Sequence, residues 1–280
     1  MILFPHAKIN IGLYVVNQRL DGFHNIETLF YPVGLRDALE VTVLPEGGEH
    51  QIHFNASGLT IAGNPQRNLV VQAYRLLDEA FSLRSVQVHL HKVIPMGAGL
   101  GGGSSDGAHM LMALNRLFSL GLEPPQLKEF ALRLGSDCPF FIESTPSLGR
   151  GRGEVLTPVP VNLNGYYLVI VKPELFVSTA QAYASVTVTP PKERLEEEVK
   201  KNPALWGERV RNVFEDSVFA AYPEMGQIKQ QLYREGALYA SMSGSGSALY
   251  GIFAQPPKLS QRFPDMFVWE GKAPASLQFK

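Results

Sequence analysis

Residues 95–110 read PMGAGLGGGSSDGAHM. Gly97, Gly99, Gly101, Gly102 and Gly103 crowd into seven positions, and an apolar stretch at helical spacing follows. Glycine loses more conformational freedom on folding than any other residue, so such a run is costly unless the backbone needs a close approach that side chains forbid. Three motif patterns fit the stretch. A plain glycine turn between a strand and a helix is the alternative that needs no function.

The first pattern is the dinucleotide fingerprint G-x-G-x-x-G, satisfied by Gly97, Gly99 and Gly102. That fingerprint requires a second parallel strand after its helix, ending near an acidic residue for the ribose. Here Gly121, Leu122, Glu123 and two prolines follow, opening another helix instead. The second pattern is the hydrolase elbow G-x-S-x-G at 103–107, whose triad runs Ser, then Asp or Glu, then His. All seven histidines lie at or before His109, so that order cannot be assembled. The third pattern is a phosphate cradle, in which bare backbone N–H groups and a helix N-terminus meet phosphate oxygens. Ser104 and Ser105 would add hydroxyl donors. The loop lacks the G-K-[ST] ending of a P-loop, and the chain contains neither H-R-D nor D-F-G. Phosphate binding accounts best for the glycines.

The 280 residues carry 25 Lys plus Arg against 26 Asp plus Glu, a formal net charge of -1. That balance argues against nucleic-acid binding by bulk electrostatics. A single cysteine, Cys138, excludes an intramolecular disulfide and suits a reducing compartment. No signal peptide and no apolar run of about 18 residues is evident, so a soluble, cytoplasmic protein is expected. KINIGLYVV, ALEVTVLP, SVQVHLHKV and YYLVIVKP read as strands. NLVVQAYRLLDEAF, SSDGAHMLMALNRLF, EPPQLKEFALRLG, PPKERLEEEVKK and EMGQIKQQLYREG read as helices. ALYASMSGSGSALYGIFA reads as strand, glycine-serine loop, strand, and the Gly- and Pro-rich stretch 144–165 as a domain junction, parts of which can be strand. The fold class is α+β in two domains, 1–157 and 158–280.

PMGAGLGGGSSD resembles the phosphate-loop motif of the GHMP kinases, a family of small-molecule kinases. AKINIGLYV before it and SMSGSGSALYGIF after it resemble the family's other two motifs, in the right order. RLDGFHNIETLF, LGSDCPFFI and GRGRGEVLTPV narrow the resemblance to the branch whose acceptor is a cytidine-diphosphate-linked methylerythritol, in isoprenoid precursor synthesis. The resemblance implies a domain like ribosomal protein S5 domain 2 followed by a ferredoxin-like domain, the GHMP kinase fold. It implies transfer of the ATP γ-phosphate to the 2-hydroxyl of that acceptor. Partners would be small molecules only, with no nucleic acid or membrane, and the protein a monomer or weak homodimer.

Asp137 matches the family's catalytic aspartate, and Lys8 the lysine that pairs with it and with the transferring phosphate. Read without the resemblance, Asp137 is as well explained as a helix N-cap or first-turn acid, while an exposed strand lysine is the lesser alternative for Lys8. Pro95, Met96, Gly97, Gly99, Leu100, Gly101, Gly102, Gly103, Ser104 and Ser105 would hold the ATP phosphates, with Asn68 and Lys92 near its adenine and ribose. Asn10, two residues from Lys8 on one strand face, would contact the substrate. Phe23 and His24 match the cytosine site, where an aromatic stacks on the base and the imidazole meets its edge. Thr179 and Tyr183 align loosely with that site, and for Tyr183 core packing explains the residue nearly as well. Ser243 and Gly244 belong to the third motif, which a plain hairpin turn also explains. Mg²⁺ is expected with ATP, arriving on the phosphates, and no residue is assigned as a metal ligand. Asp106, at the start of the helix, would be at most an outer partner to the ion. His89 and His91 share a strand face without an evident third ligand, and Cys138 reads as a small buried filler. Two other readings are a family kinase for another small alcohol and a silent binding protein of the same fold. Keeping both Lys8 and Asp137 weighs against the second, since a binder needs neither.

Overall fold

The computed structural model describes residues 1–45 and 51–274. Its strands are β1 (Ile2–Leu3), β2 (His6–Gln18), β3 (His24–Arg36), β4 (Ala38–Val43), β5 (Ile52–Gly58), β6 (Val86–Lys92), β7 (Ser147–Arg150), β8 (Val155–Pro158), β9 (Tyr167–Lys172), β10 (Tyr239–Met242), β11 (Leu249–Phe253) and β12 (Phe267–Lys272). The helices are α1 (Leu69–Phe81), α2 (Gly102–Leu117), α3 (Pro124–Leu134), α4 (Phe140–Glu143), α5 (Thr179–Ser185), α6 (Leu195–Glu198), α7 (Phe214–Ala221) and α8 (Pro223–Arg234). They build three four-stranded sheets, ordered β1-β4-β6-β5, β2-β3-β7-β8 and β10-β11-β9-β12.

The middle sheet is organised by β2 and β3, two 13-residue strands paired antiparallel. Along β2, Ala7, Ile9 and Ile11 enter the core shared with the C-terminal sheet, while Lys8 and Asn10 alternate to the other face. The register shifts between Ile11 and Leu13 around Gly12, whose φ of 65° suits a bulge. The free edge of β2 is satisfied by loops: Lys8 N–H donates to Leu100 and Leu13 N–H to Arg211. The glycine loop is thereby fixed to the strand that carries Lys8.

The first sheet contains the unit β5-α1-β6, whose two strands run parallel. Its helices α1 and α2 pack on one another, and the second core lies beneath them with Val70, Leu77, Val88 and Leu111. The other face of β6 is open, where His89 Nε2 and His91 Nδ1 both lie on Ser57 Oγ at 2.8 and 3.0 Å. The C-terminal sheet has the order of a ferredoxin-like unit, with α7 and α8 crossing between β9 and β10. Its second crossover holds only a short turn at Ser260–Arg262.

Most expected elements fall within a residue or two of their places. In the segment 144–165 the strand allowed for takes the form of β7 and β8, which extend the β2-β3 sheet: Ser147, Leu148 and Gly149 are buried, and the glycines after them form the bend. The charged stretch 190–201 forms only the single turn α6. Its Leu195 and Val199 are buried, while Pro190, Pro191 and the Asn202–Pro203 turn limit it at both ends.

A buried polar knot ties β2 to α2 and α4. His6 Nε2 meets Ser144 Oγ at 2.7 Å and His109 Nδ1 meets the Ser105 carbonyl at 2.8 Å, with the two rings edge-on at 5.8 Å. Burial holds the His6 imidazole down at about 4 and that of His109 at about 3. The unfolded chain, with ordinary histidines near 6.5, therefore binds more protons than the native one. Stability from this pair is complete above that value and declines as pH falls from about 6.5 toward 4. An NMR titration is expected to show two imidazoles still neutral at pH 5 that vanish in His6→Asn and His109→Asn; titration of all seven near 6.5 would contradict it.

Candidate active site

Three loops converge at the end of β2. The first is the glycine loop, in which Gly97, Gly99 and Gly101 have φ of 61°, 76° and 68°. The second is the turn before α4, and the third joins β10 to β11. Gly99 packs backbone to backbone on the third loop: a Cβ there would lie 2.0 Å from the Ser243 carbonyl oxygen. Ser243 Oγ donates to the Gly99 carbonyl at 2.9 Å and accepts the Asn10 N–H at 3.2 Å. Ala248 N–H donates to the Ala98 carbonyl at 3.1 Å. Asn212 donates to the carbonyls of Met242 and Gly244, both at 2.8 Å, and so holds the loop's far side.

Lys8 is 3% exposed, and its Nζ meets Asn10 Oδ1 at 2.6 Å and Asp137 Oδ2 at 3.3 Å. The Phe30 ring lies beneath it, with the centroid 5.3 Å from Nζ. Asn10 Nδ2 in turn donates to Thr28 Oγ1 at 3.0 Å. An ammonium so deeply buried requires these partners, and the carboxylate supplies the opposite charge. Asp137 itself is one third exposed and does not cap α4; Pro139 occupies the cap position. Cys138 beside it is buried, which pushes its thiol up to about 12 and removes any thiolate at neutral pH.

The glycine loop separates two pockets. On one side, a pocket of about 210 Å³ is lined by Lys8, Asn10, Gly97, Gly99, Asp137 and Gly244. On the other, a pocket of about 370 Å³ is lined by Asn68, Leu69, Lys92, Met96, Gly103 and Asp106. Asn68 caps α1 through Oδ1, which accepts the Val70 N–H at 2.9 Å, leaving its amide N–H groups for other partners. Lys92 is 2% exposed and its Nζ is held by Asp37 and, at 2.9 Å, by Asp106. Asp37 also accepts the N–H groups of Val93 and Ile94 at 2.6 and 2.8 Å. Burial pushes the Asp106 carboxyl up to about 7 against the pull of Lys92, and its Oδ1 has no hydrogen bond among the described residues. Ser105 is turned inward beside His109, whereas Ser104 is half-buried and Gly103 faces open space. Pro95, Leu100 and Gly102 are buried beneath the loop, where a Cβ on Gly102 would meet Lys92 Nζ at 2.9 Å.

A third and larger cavity, about 810 Å³, holds Phe23, His24, Thr179 and Tyr183 together. It shares Arg152, Thr179 and Tyr183 with the Lys8–Asp137 pocket. The His24 and Tyr183 rings stand 5.2 Å apart at 30°, and Phe214 supports Tyr183 edge-on at 4.8 Å. Thr179 Oγ1 and Ser245 Oγ are 3.1 Å apart, joining α5 to the third loop. Sequence reasoning passed over Arg152, Asp37, Asn212 and Phe30. The glycines flanking Arg152 were the one local signal among them; the other three act through contacts remote in sequence.

Two motif-bearing domains joined through a glycine cradle, with a paired lysine and aspartate at the junction, define a small-molecule kinase. A family model described as GHMP kinases N terminal domain matches residues 68–144, and one described as GHMP kinases C terminal matches residues 194–267. The chain belongs to the GHMP kinases. A 4-diphosphocytidyl-2-C-methyl-D-erythritol kinase of Bacteroides thetaiotaomicron is 50% identical over 253 residues, covering 90% of this chain and 92% of its own. One of Moorella thermoacetica is 37% identical over 284 residues, covering 96% and 98%. Among known structures, a 4-(cytidine 5'-diphospho)-2C-methyl-D-erythritol kinase superposes with a TM-score of 0.80 at 32% identity, over 97% of this chain and 98% of that one. A homoserine kinase from Cytophaga hutchinsonii, at 17% identity, shares the fold with a TM-score of 0.70 over 98% and 96%.

The glycine geometry makes opposite demands at two positions of the loop. Gly99→Ala would place a methyl on the Ser243 carbonyl in a left-handed backbone, and is expected to cost on the order of 2 kcal/mol or more. Gly103→Ala meets open space at a helix start and is expected to raise stability by roughly 0.5–1 kcal/mol. Thermal unfolding of both variants checks this; equal shifts would mean the loops do not dock as described.

Proposed function

We propose that this chain transfers the γ-phosphoryl group of ATP to the 2-hydroxyl of 4-diphosphocytidyl-2-C-methyl-D-erythritol. The observation that carries the reading is the glycine loop standing between two pockets, with Lys8 and Asp137 on one side and Asn68 on the other. In this reading the adenine lies against Asn68 and Met96, and the phosphates cross the loop at Gly97–Ser104 toward Lys8. Backbone N–H groups bared by the glycines, and the N-terminus of α2, favour the phosphate charge there. Ser104 is the serine that reaches the phosphates, while Ser105 supports the loop from inside.

Asp137 then accepts the proton of the attacking hydroxyl, in keeping with its partial exposure and its place in the acceptor pocket. As the hydroxyl oxygen bonds to the γ-phosphorus, the bond from phosphorus to the bridging oxygen breaks and ADP departs. Lys8 holds the Asp137 carboxylate in place before the transfer and offsets negative charge at the phosphoryl group during it. Asn10 holds the Lys8 ammonium in line and presents the acceptor pocket's inner wall.

ATP is the co-substrate, and Mg²⁺ would accompany it. Among the described residues there is no cluster of three His, Cys, Asp or Glu to form a protein cage, which fits an ion carried by phosphates and water. Bound there, it would neutralise phosphate charge. The large cavity suits a nucleobase. Phe23 offers a stacking face, His24 an edge donor or acceptor, and Thr179 and Tyr183 close the side toward the C-terminal domain. We take 1–157 as the ATP-binding domain and 158–280 as the second domain, with the acceptor between them. The protein works on small molecules in the cytoplasm, as a monomer or weak homodimer.

Incubation with ATP, magnesium and each of four acceptors separates this from the nearest alternative, a family kinase for another alcohol. ADP release with one phosphate added to the cytidine substrate, and none to homoserine, mevalonate or galactose, is the expected result. Transfer to one of the others instead would overturn the acceptor assignment while leaving the fold and the cradle intact.

A further inference from the structure

The bend between β7 and β8 reads Arg150-Gly151-Arg152-Gly153 and is made by its glycines. Gly151 and Gly153 have φ of 68° and 112°, where other residues are strained. Each is also crowded: a Cβ on Gly151 would press on the Glu154 carboxylate at 2.9 Å, and one on Gly153 on the Phe30 ring at 3.2 Å. The Gly151 carbonyl accepts the Ile26 N–H at 2.7 Å, which ties the bend to β3. Arg152, between the two glycines, is thus presented at the tip of a fixed turn.

Its guanidinium lies over the Phe23 ring, 5.0 Å from the centroid. It lines both the nucleobase-sized cavity and the smaller pocket of Lys8 and Asp137, so it stands where the two meet. Two other arginines near in sequence to this bend and to Phe23 have carboxylates: Arg150 meets Glu27 at 3.0 Å and Arg19 meets Asp21 at 2.9 Å. The carboxylate nearest Arg152 in sequence, Glu154, is turned to the Arg152 backbone N–H at 2.6 Å. Among the described residues, the Arg152 guanidinium has no ion pair. A half-buried cation, braced by an aromatic face and lacking a counter-charge, is arranged for an anion that arrives with the ligand.

We infer that Arg152 binds the diphosphate that links the base to the alcohol of the acceptor. The inference rests on the proposed function, since only an acceptor with an anionic bridge between its two ends places charge at this junction. A planar guanidinium with five donors can take two oxygens of a diphosphate at once, and stacking on Phe23 keeps it oriented. Arg152 would then measure the distance between base and hydroxyl, excluding alcohols that lack the bridge.

Calorimetric titration of the whole protein with CDP and with cytidine tests this in wild type, Arg152→Gln and Arg152→Lys. Wild type is expected to bind CDP roughly 10- to 100-fold more tightly than cytidine, as a charged hydrogen-bonding contact allows. Arg152→Gln is expected to erase that preference while keeping its affinity for cytidine, and Arg152→Lys to keep part of it. In steady-state assays the Gln variant should raise KM for the cytidine acceptor with little change in kcat. An undiminished preference for CDP in Arg152→Gln would overturn the inference and leave the proposed function standing. A wild-type protein that ignored both CDP and cytidine would overturn the two together.

Discussion

The contact on which the site depends is the approach of Gly99 to Ser243, too close for any side chain on Gly99. Through it, loops almost 150 residues apart in sequence form one surface. Ser243 Oγ accepts the Asn10 N–H, Asn10 accepts the Lys8 ammonium, and Lys8 reaches Asp137. Each link narrows the freedom of the next. A lysine has four flexible side-chain bonds; held by an amide, a carboxylate and an aromatic floor, this one has little left to lose when a phosphate arrives.

Two buried lysines flank the cradle and are treated differently. Lys92 is enclosed by Asp37 and Asp106, and Asp37 is fixed by two backbone N–H groups. With two acids to one base, burial lifts Asp106 toward neutrality, which limits negative charge beside the loop proposed to hold phosphates. Lys92 thus serves mainly to anchor the start of α2 against β6. Among the described residues Lys8 pairs with one carboxylate, Asp137, which lines the pocket it shares with Lys8. The same residue type holds a framework on one side and, in the proposed reaction, faces the reacting groups on the other, according to how many acids surround it.

Periodicity found β2, α1, β6 and α2 because each is long and patterned by burial on one face. It missed β3 and β12, where glycine and proline break the alternation or the burial is only partial. It overread 190–201, where charge and a few apolar residues suggest a helix that prolines confine to one turn. In the site, glycine content alone pointed to a phosphate cradle, and the resemblance supplied Lys8 and Asp137. Their meeting required the β2 register and the turn at 135–139, neither of which any local window encodes. Ser104 and Ser105 look equivalent in sequence; the helical twist turns one outward and the other against His109. The role proposed for Arg152 was hidden because it rests on the guanidinium having no ion pair among the described residues, which only three dimensions reveal.

The central claim is that Asp137, held by Lys8, takes the proton of the acceptor hydroxyl. The most direct measurement is turnover of Asp137→Asn, with affinity for the cytidine acceptor measured on the same sample. The expected result is a loss on the order of 100-fold or more in kcat, with acceptor affinity within a few-fold of wild type. A folded Asp137→Asn protein that binds the acceptor and turns over at a near-normal rate would contradict it.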